Sequence, residues 1–228
     1  MTLRFGSMVK IVKDKDLIYD VKDYDVVLVG VNIMNTKGNG FQYQVHLNFP
    51  KVYEAHRDTN YADVKKIGTV SVVPGEPTFC LCYISKGRYR PDKVPDTVDY
   101  EGLENCLKLV ADNFKSNKIA SVLMGVSPYE GGGDKERILK IYKKVFNGMD
   151  ITLYDYEQTD YLKDMNEEYK ENARKRENNE ITKEEYYDLK KDFLWRKHFG
   201  IYVPMPEGIT YNEVKKIIEE KKSGTKFA

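Results

Sequence analysis

Nine consecutive residues, Asp25-Val-Val-Leu-Val-Gly-Val-Asn-Ile33, constrain the chain more than any other stretch. The run is β-branched and almost continuously apolar. It lacks the apolar–polar alternation of a strand with one wet face, so it reads as a strand covered on both faces. It is also far too short to cross a membrane, as is every other apolar run in the chain. A strand of this kind needs a sheet around it and helices above and below.

The neighbouring sequence supplies them in alternation. Met8–Val12 and Leu17–Tyr19 are short apolar runs. Val45–Tyr61 has helical spacing interrupted by Pro50. Ile67–Val73 and Thr78–Ile84 read as two strands paired through the Pro74-Gly75 turn. Leu103, Cys106, Leu107, Val110 and Phe114 share one helical face within 99–114. Ile119–Gly125 is a strand. Ile138, Ile141, Tyr142 and Val145 mark a helix, and Met149–Tyr154 is a further strand. Strands separated by helical segments predict an α/β sheet flanked by helices on both faces.

Charge then divides the chain. Beyond Glu157 its density rises from about a quarter of residues to more than two fifths. We place a boundary there, with a domain over 1–156 and a charged helical extension over 157–228. The extension reads as helices over 157–178 and 182–198. Thr182 with Glu185, and Thr210 with Glu213, have capping-box spacing. Leu189, Phe193, Leu194 and Trp195 are the expected apolar anchors. Overall the charge is balanced, 37 Lys and Arg against 36 Asp and Glu, which argues against a general nucleic-acid binder. With three cysteines, no disulfide framework is expected. No signal peptide is apparent, and a cytoplasmic location is expected. The abundance of Lys, Asn and Tyr suits an AT-rich genome, such as a viral one.

Two glycine-rich turns could carry chemistry. Asn35-Thr-Lys-Gly-Asn-Gly40 follows the Asp25–Ile33 strand, and Glu130-Gly-Gly-Gly-Asp134 follows the strand that starts at Ile119. Each joins a strand to a helix, where free backbone N–H groups and the helix dipole favour an anion. Glycine lets the backbone approach a phosphate closely. Tight turning alone is the plainer reading of either loop; two in matching contexts point to a diphosphate. Neither is a Walker A sequence or G-x-G-x-x-G. His46, His56 and His198 have no metal-ligand spacing, and Cys80 and Cys82 alternate onto one strand face, as core residues do.

The string Val31-Asn-Ile-Met-Asn-Thr-Lys-Gly-Asn-Gly-Phe-Gln-Tyr-Gln-Val-His-Leu-Asn-Phe-Pro50 resembles the first ligand loop and helix of a macrodomain. Lys66-Ile-Gly-Thr-Val-Ser-Val-Val-Pro74 resembles that family's next strand. Ser121–Ile138, with its triple glycine, resembles the second ligand loop, and Ile151–Tyr154 the last core strand. The resemblance runs in order over about 8–156. It is closest to the branch holding ADP-ribose 1″-phosphate phosphatases and terminal ADP-ribose glycohydrolases. It implies a mixed sheet and an ADP-ribose pocket, with no cofactor. Asn32, Gly38, Asn39 and Gly40 would face the distal ribose, and Gly131, Gly132 and Gly133 would wrap the diphosphate. Asp20 would meet adenine, on which Tyr154 or Tyr156 would stack; a solvated Asp20 and core tyrosines are the plainer alternatives.

For catalysis the resemblance singles out Lys86, in Tyr83-Ile-Ser-Lys86, as an amine that would attack the ribose anomeric carbon if burial lowers its pKa. In a phosphatase Asn35 or a nearby carboxylate would position water; turn formation is the other reading of Asn32 and Asn35. Glu130 lies beside Gly131, where the branch has an Asp. Asp134 reads as a helix N-cap. Pro128 removes a backbone donor from the second loop. Two functions therefore stand side by side. One is a hydrolase removing a 1″-phosphate or protein-linked ADP-ribose. The other is a non-catalytic reader or sequestering protein for such a nucleotide. The expected partners are ADP-ribose or a derivative and ADP-ribosylated protein, with no membrane.

Overall fold

A computed structural model describes residues 9–13, 15–38, 40–87, 98–126, 132–155 and 161–222, without the side chains of 161–166. By its contacts the chain divides into two compact units, 1–46 with 50–159, and 47–49 with 160–228.

The first unit is built on six strands: β1 (Lys10–Lys13), β2 (Val26–Asn32), β3 (Val70–Val73), β4 (Thr78–Ser85), β5 (Ile119–Val122) and β6 (Ile151–Asp155). They form one sheet in the order β1-β6-β5-β2-β4-β3. β1 pairs with β6, β6 with β5, β5 with β2 and β2 with β4, all parallel; only β3 is antiparallel, to β4. The sheet is therefore mixed, and the β3–β4 hairpin forms through the turn at Pro74-Gly75.

β2 is buried on both faces, as its composition requires. Val26 and Leu28 share a core with Cys80, Cys82 and Ile84 of β4. Leu103, Cys106, Leu107 and Val110 of α3 (Tyr100–Asn113) and Ile138 and Tyr142 of α4 (Lys135–Val145) complete it. Val27, Val29 and Val31 alternate to the other face and are equally buried. On that face His56 of α2 (Pro50–Arg57) meets the ring of Tyr83 at 5.8 Å. α1 (Gly40–Asn48) precedes α2, and Pro50 divides the two by opening the second, where its missing N–H costs nothing. Full burial of one Val or Leu side chain is worth about 1.5–3 kcal/mol.

Local chemistry sets the boundaries. Asp99 caps α3 by accepting from the Gly102 N–H at 2.8 Å, and Asp134 caps α4 through the Arg137 N–H at 2.6 Å. Two expected strand limits shorten. β5 stops at Val122 because the chain turns through Leu123–Val126, where the Val126 N–H reaches the Leu123 carbonyl. β3 starts at Val70 because Lys66–Thr69 forms a turn closed by the Thr69 hydroxyl on the Lys66 carbonyl. β1 begins at Lys10. Leu17–Tyr19 is a 3-10 turn capped by Asp16.

The second unit holds α5 (Tyr161–Glu177), α6 (Lys183–Phe199) and α7 (Tyr211–Lys222). The Thr182–Glu185 capping box opens α6, and Thr210 with Glu213 makes the same reciprocal pair before α7. Phe193 stacks on Tyr169 at 4.6 Å between ring centres. Trp195 stacks on Phe199 at 4.2 Å and packs with Val214 and Ile218, with its indole N–H on the Val203 carbonyl. Leu194 is a partly buried member of that cluster. Leu189, expected as an anchor, is exposed, because the helix turns it away from the stripe that Phe193 and Trp195 occupy. No described helix is long and apolar enough to cross a membrane.

Trp195→Ala should cost roughly 3–5 kcal/mol through the cavity and the stranded Val203 carbonyl. The expected result is loss of near-ultraviolet dichroism and early melting of the helical unit; an unchanged melt would refute this account of its core.

Candidate functional site

Five parallel strands end on one edge of the sheet, at Lys13, Asn32, Ser85, Val122 and Asp155. From β2 the chain proceeds toward β4 on one side, and from β5 toward β6 on the other. The switch of direction therefore lies between β2 and β5, the place where open α/β sheets bind ligands. Both glycine-rich turns leave from these two strands.

The first turn is held by its own polar side chains. The Asn32 oxygen accepts from the Met34 N–H at 2.9 Å, and its amide donates to the Thr36 hydroxyl at 2.8 Å. The Gln42 amide, reaching back from α1, donates to the Thr36 carbonyl. Two buried imidazoles pin the turn from behind: His56 Nε2 donates to the Asn32 carbonyl and His46 Nδ1 to the Lys37 carbonyl, at 2.9 and 3.0 Å. Each bond fixes a tautomer, because a carbonyl can only accept. The two rings lie 5.3 Å apart, and their other nitrogens are buried with no hydrogen-bond partner among the described residues. Gly38 and Gly40 lead into α1; Asn39 lies outside the described residues.

Asn35 has a left-handed backbone, which Asn tolerates. Its amide donates to the carbonyls of Thr59 and Arg57, at 2.6 and 3.2 Å, and its oxygen takes the Lys66 ammonium at 2.6 Å. Both amide hydrogens are thus committed to the chain. Asn35 braces the loop. Lys66 also donates to the Thr59 hydroxyl and lies 4.9 Å from the Tyr83 ring centre. Desolvation lowers its pKa. Sequence reading missed Lys66, His46 and His56 as braces, since their partners lie nine to 31 residues away in the chain.

Lys86 follows β4 directly and is exposed, so the chain's own packing does not supply the burial its chemistry calls for. Its position is informative all the same. Gly87 has a left-handed φ of +76°, and a Cβ there would lie 2.8 Å from Met34 and 3.3 Å from Asn32. Lys86-Gly87 therefore runs against the first turn.

In the second turn the Gly133 N–H closes onto the Gly125 carbonyl at 2.8 Å. The Asp134 N–H is taken by the Tyr100 hydroxyl at 2.8 Å, and Arg137 lies over that ring at 3.7 Å. Asp134 is a helix cap, as its sequence position suggested. The N–H groups of Gly133, Asp134 and Arg137 are thus engaged within the chain. Gly132 precedes them at φ +65°. Glu130 and Gly131 lie outside the described residues, as does Tyr156.

At the end of β6, Tyr154 donates its hydroxyl to Asp20 at 2.6 Å, and Lys15 pairs with the same carboxylate oxygen at 2.7 Å. The Tyr154 ring is 3% exposed and meets Tyr24 edge-on. The ring is packed within the chain. Among the described residues no group of three or more His, Cys, Asp or Glu could hold a metal.

Two outcomes test this geometry. Burial, reinforced by His56, lowers the His46 pKa to about 3. The unfolded chain takes that proton near pH 6.5, so the contribution is complete above pH 6.5 and is lost as pH falls toward 3. At pH 4.5 the loss should be about 3 kcal/mol. Denaturant midpoints at pH 7.5 and 4.5 should therefore fall further for wild type than for His46→Gln. Gly132→Val places a β-branched residue at positive φ, costing about 1–3 kcal/mol of local strain; the expected result is a retained fold with a reshaped second turn, read by circular dichroism and amide exchange.

No family model matches the chain, and no curated protein matches it in sequence. Solved structures do resemble it. A Bacteroides thetaiotaomicron protein of unknown function superposes with a TM-score of 0.52 at 20% identity, over 65% of this chain and 99% of that one. The macrodomain of Thermus aquaticus DarG gives 0.49 at 16% identity, over 65% and 98%. Thermosipho africanus DarTG, solved with ADP-ribose, gives 0.49 at 17%, over 65% and 43%. The chain thus spans less than half the length of that last protein. At these identities the likeness is one of fold.

Proposed function

We propose that this chain, whose fold is that of a macrodomain, binds ADP-ribose or a close derivative at the ends of β2 and β5. The observation that carries this reading is the pair of glycine-rich strand-to-helix turns, leaving neighbouring parallel strands where the sheet's connections diverge. One turn alone could be a tight corner. Two at the switch point, the first held rigid by buried side chains, suit a ligand with a diphosphate between two sugars. In this reading Asn32, Gly38, Asn39 and Gly40 belong to the distal-ribose end. Gly131, Gly132 and Gly133 belong to the diphosphate, and Asp20 to the base.

A second reading, hydrolysis of the bound nucleotide, is favoured by the placement of Lys86-Gly87 against the first turn. An unprotonated Lys86 amine would attack C1″. The bond from C1″ to the leaving oxygen would break with its electrons remaining on that oxygen. Water would then add at C1″, break the C1″–nitrogen bond, return the amine and release ADP-ribose with a 1″-hydroxyl. The leaving group would be phosphate or a protein side chain, and Glu130, beside Gly131 where the resembled branch has an Asp, would move the proton.

Calorimetry should give tighter binding of ADP-ribose than of AMP by at least about tenfold, equivalent to ~1.4 kcal/mol. Gly132→Val should abolish it. Equal affinities would overturn the diphosphate assignment. For hydrolysis, single-turnover assays on ADP-ribose 1″-phosphate and ADP-ribosylated protein should lose turnover in Lys86→Ala with binding spared, and mass spectrometry should trap a lysine adduct. A wild type that binds ADP-ribose and turns over neither substrate is a reader.

A further inference from the structure

The hydroxyls around Asp20 form a directed chain. Asp20 accepts the Tyr154 proton at 2.6 Å, so Tyr154 has none left to give to Tyr24. The 3.0 Å contact between the two phenols must therefore run from Tyr24 to Tyr154. The order is Tyr24 to Tyr154 to Asp20 Oδ2, and Lys15 closes on the same oxygen. Both phenols are buried, at 9% and 3% exposure, and the Lys118 ammonium lies 4.7 Å from the Tyr24 ring centre. Burial, Asp20 and Tyr24 together push the Tyr154 hydroxyl far above its ordinary pKa, so it stays a donor at every working pH. Asp20 itself is 12% exposed. Both of these partners meet Oδ2, which leaves Oδ1 as a hydrogen-bond acceptor at the end of β6.

An oriented carboxylate oxygen is a discriminating group. It attracts an exocyclic amine and repels a carbonyl at the same position of a base. Its selectivity depends on the carboxylate being unable to rotate or move away, and the two phenols supply that restraint.

We infer that Tyr154, backed by Tyr24, is a positioning residue that sets base specificity by holding Asp20 to receive the amine of an adenine-type base. The inference rests on the ADP-ribose reading above and adds to it the residues that enforce the base. Neither tyrosine touches the ligand.

The test is the affinity ratio of the full chain for ADP-ribose over inosine diphosphate ribose, in which a carbonyl replaces the amine. Calorimetry on wild type, Tyr154→Phe and Tyr24→Phe gives the ratio for folded protein, so a lowered melting temperature alone does not alter it. Wild type should favour ADP-ribose by about tenfold or more. Tyr154→Phe should bring the ratio down at least about fivefold, mainly by weakening ADP-ribose, and Tyr24→Phe should move it the same way by less. A purely structural role would weaken both ligands equally and leave the ratio unchanged. An unchanged ratio in Tyr154→Phe, or a wild type that binds both ligands alike, overturns the inference and leaves ADP-ribose binding standing. A wild type that binds neither overturns both readings.

Discussion

The pairing of β2 on both of its edges is the constraint from which the rest of the first unit follows. Val26–Asn32 is hydrogen-bonded to β4 along its whole length and to β5 over its first half, in parallel both times. Its faces are sealed by helices, so no backbone group on it can turn to water. Each carbonyl and N–H must be answered by a neighbour. Parallel pairing then forces long crossovers and brings the carboxyl ends of the parallel strands to the same edge. The ligand edge is a consequence of that geometry and exists before any site residue is considered.

What occupies that edge is a set of restraints more than a set of free reactive groups. Asn32 folds into its own turn, Asn35 spends its amide on two carbonyls, and two neutral imidazoles take carbonyls from below. The buried histidines are expensive to protonate, so the first turn is secured by groups that remain neutral at ordinary pH. In the second turn Asp134 and Tyr100 take up donors at the start of α4. The geometry is therefore better suited to presenting backbone to a ligand than to delivering a charged side chain from the interior. Lys86, exposed beside the first turn, is the exception, and it is the group on which the distinction between hydrolase and reader depends.

Local signals in the sequence translated well into structure. The caps at Asp99, Asp134 and Thr182 are contacts between residues three apart, and such contacts are legible from spacing alone. The face shared by Leu103, Cys106, Leu107 and Val110 follows from helical period, and the mixed sheet from the order of its elements. For Tyr154 the sequence left two roles open, stacking on a base and packing in the core, because both are available to a tyrosine at a strand end. A partner 134 residues away decides between them. Asn35 was open in the same way: an Asn in a turn can face a ligand or bind the chain, and Lys66 and Thr59 come from a segment that sequence spacing does not connect to it. Leu189 lies in the right helix, on the wrong side of its apolar stripe.

By itself the sequence determined the elements, their order and the two-sided burial of β2, because these depend on period, propensity and caps within a few residues. It also placed the two glycine turns, since glycine at a strand-to-helix junction is a local requirement. Only the tertiary structure decided which polar groups remain available. Hydrogen-bonding capacity is finite, and whether Asn35, Tyr154 or Asp20 has any left is settled by residues that folding brings from far along the chain.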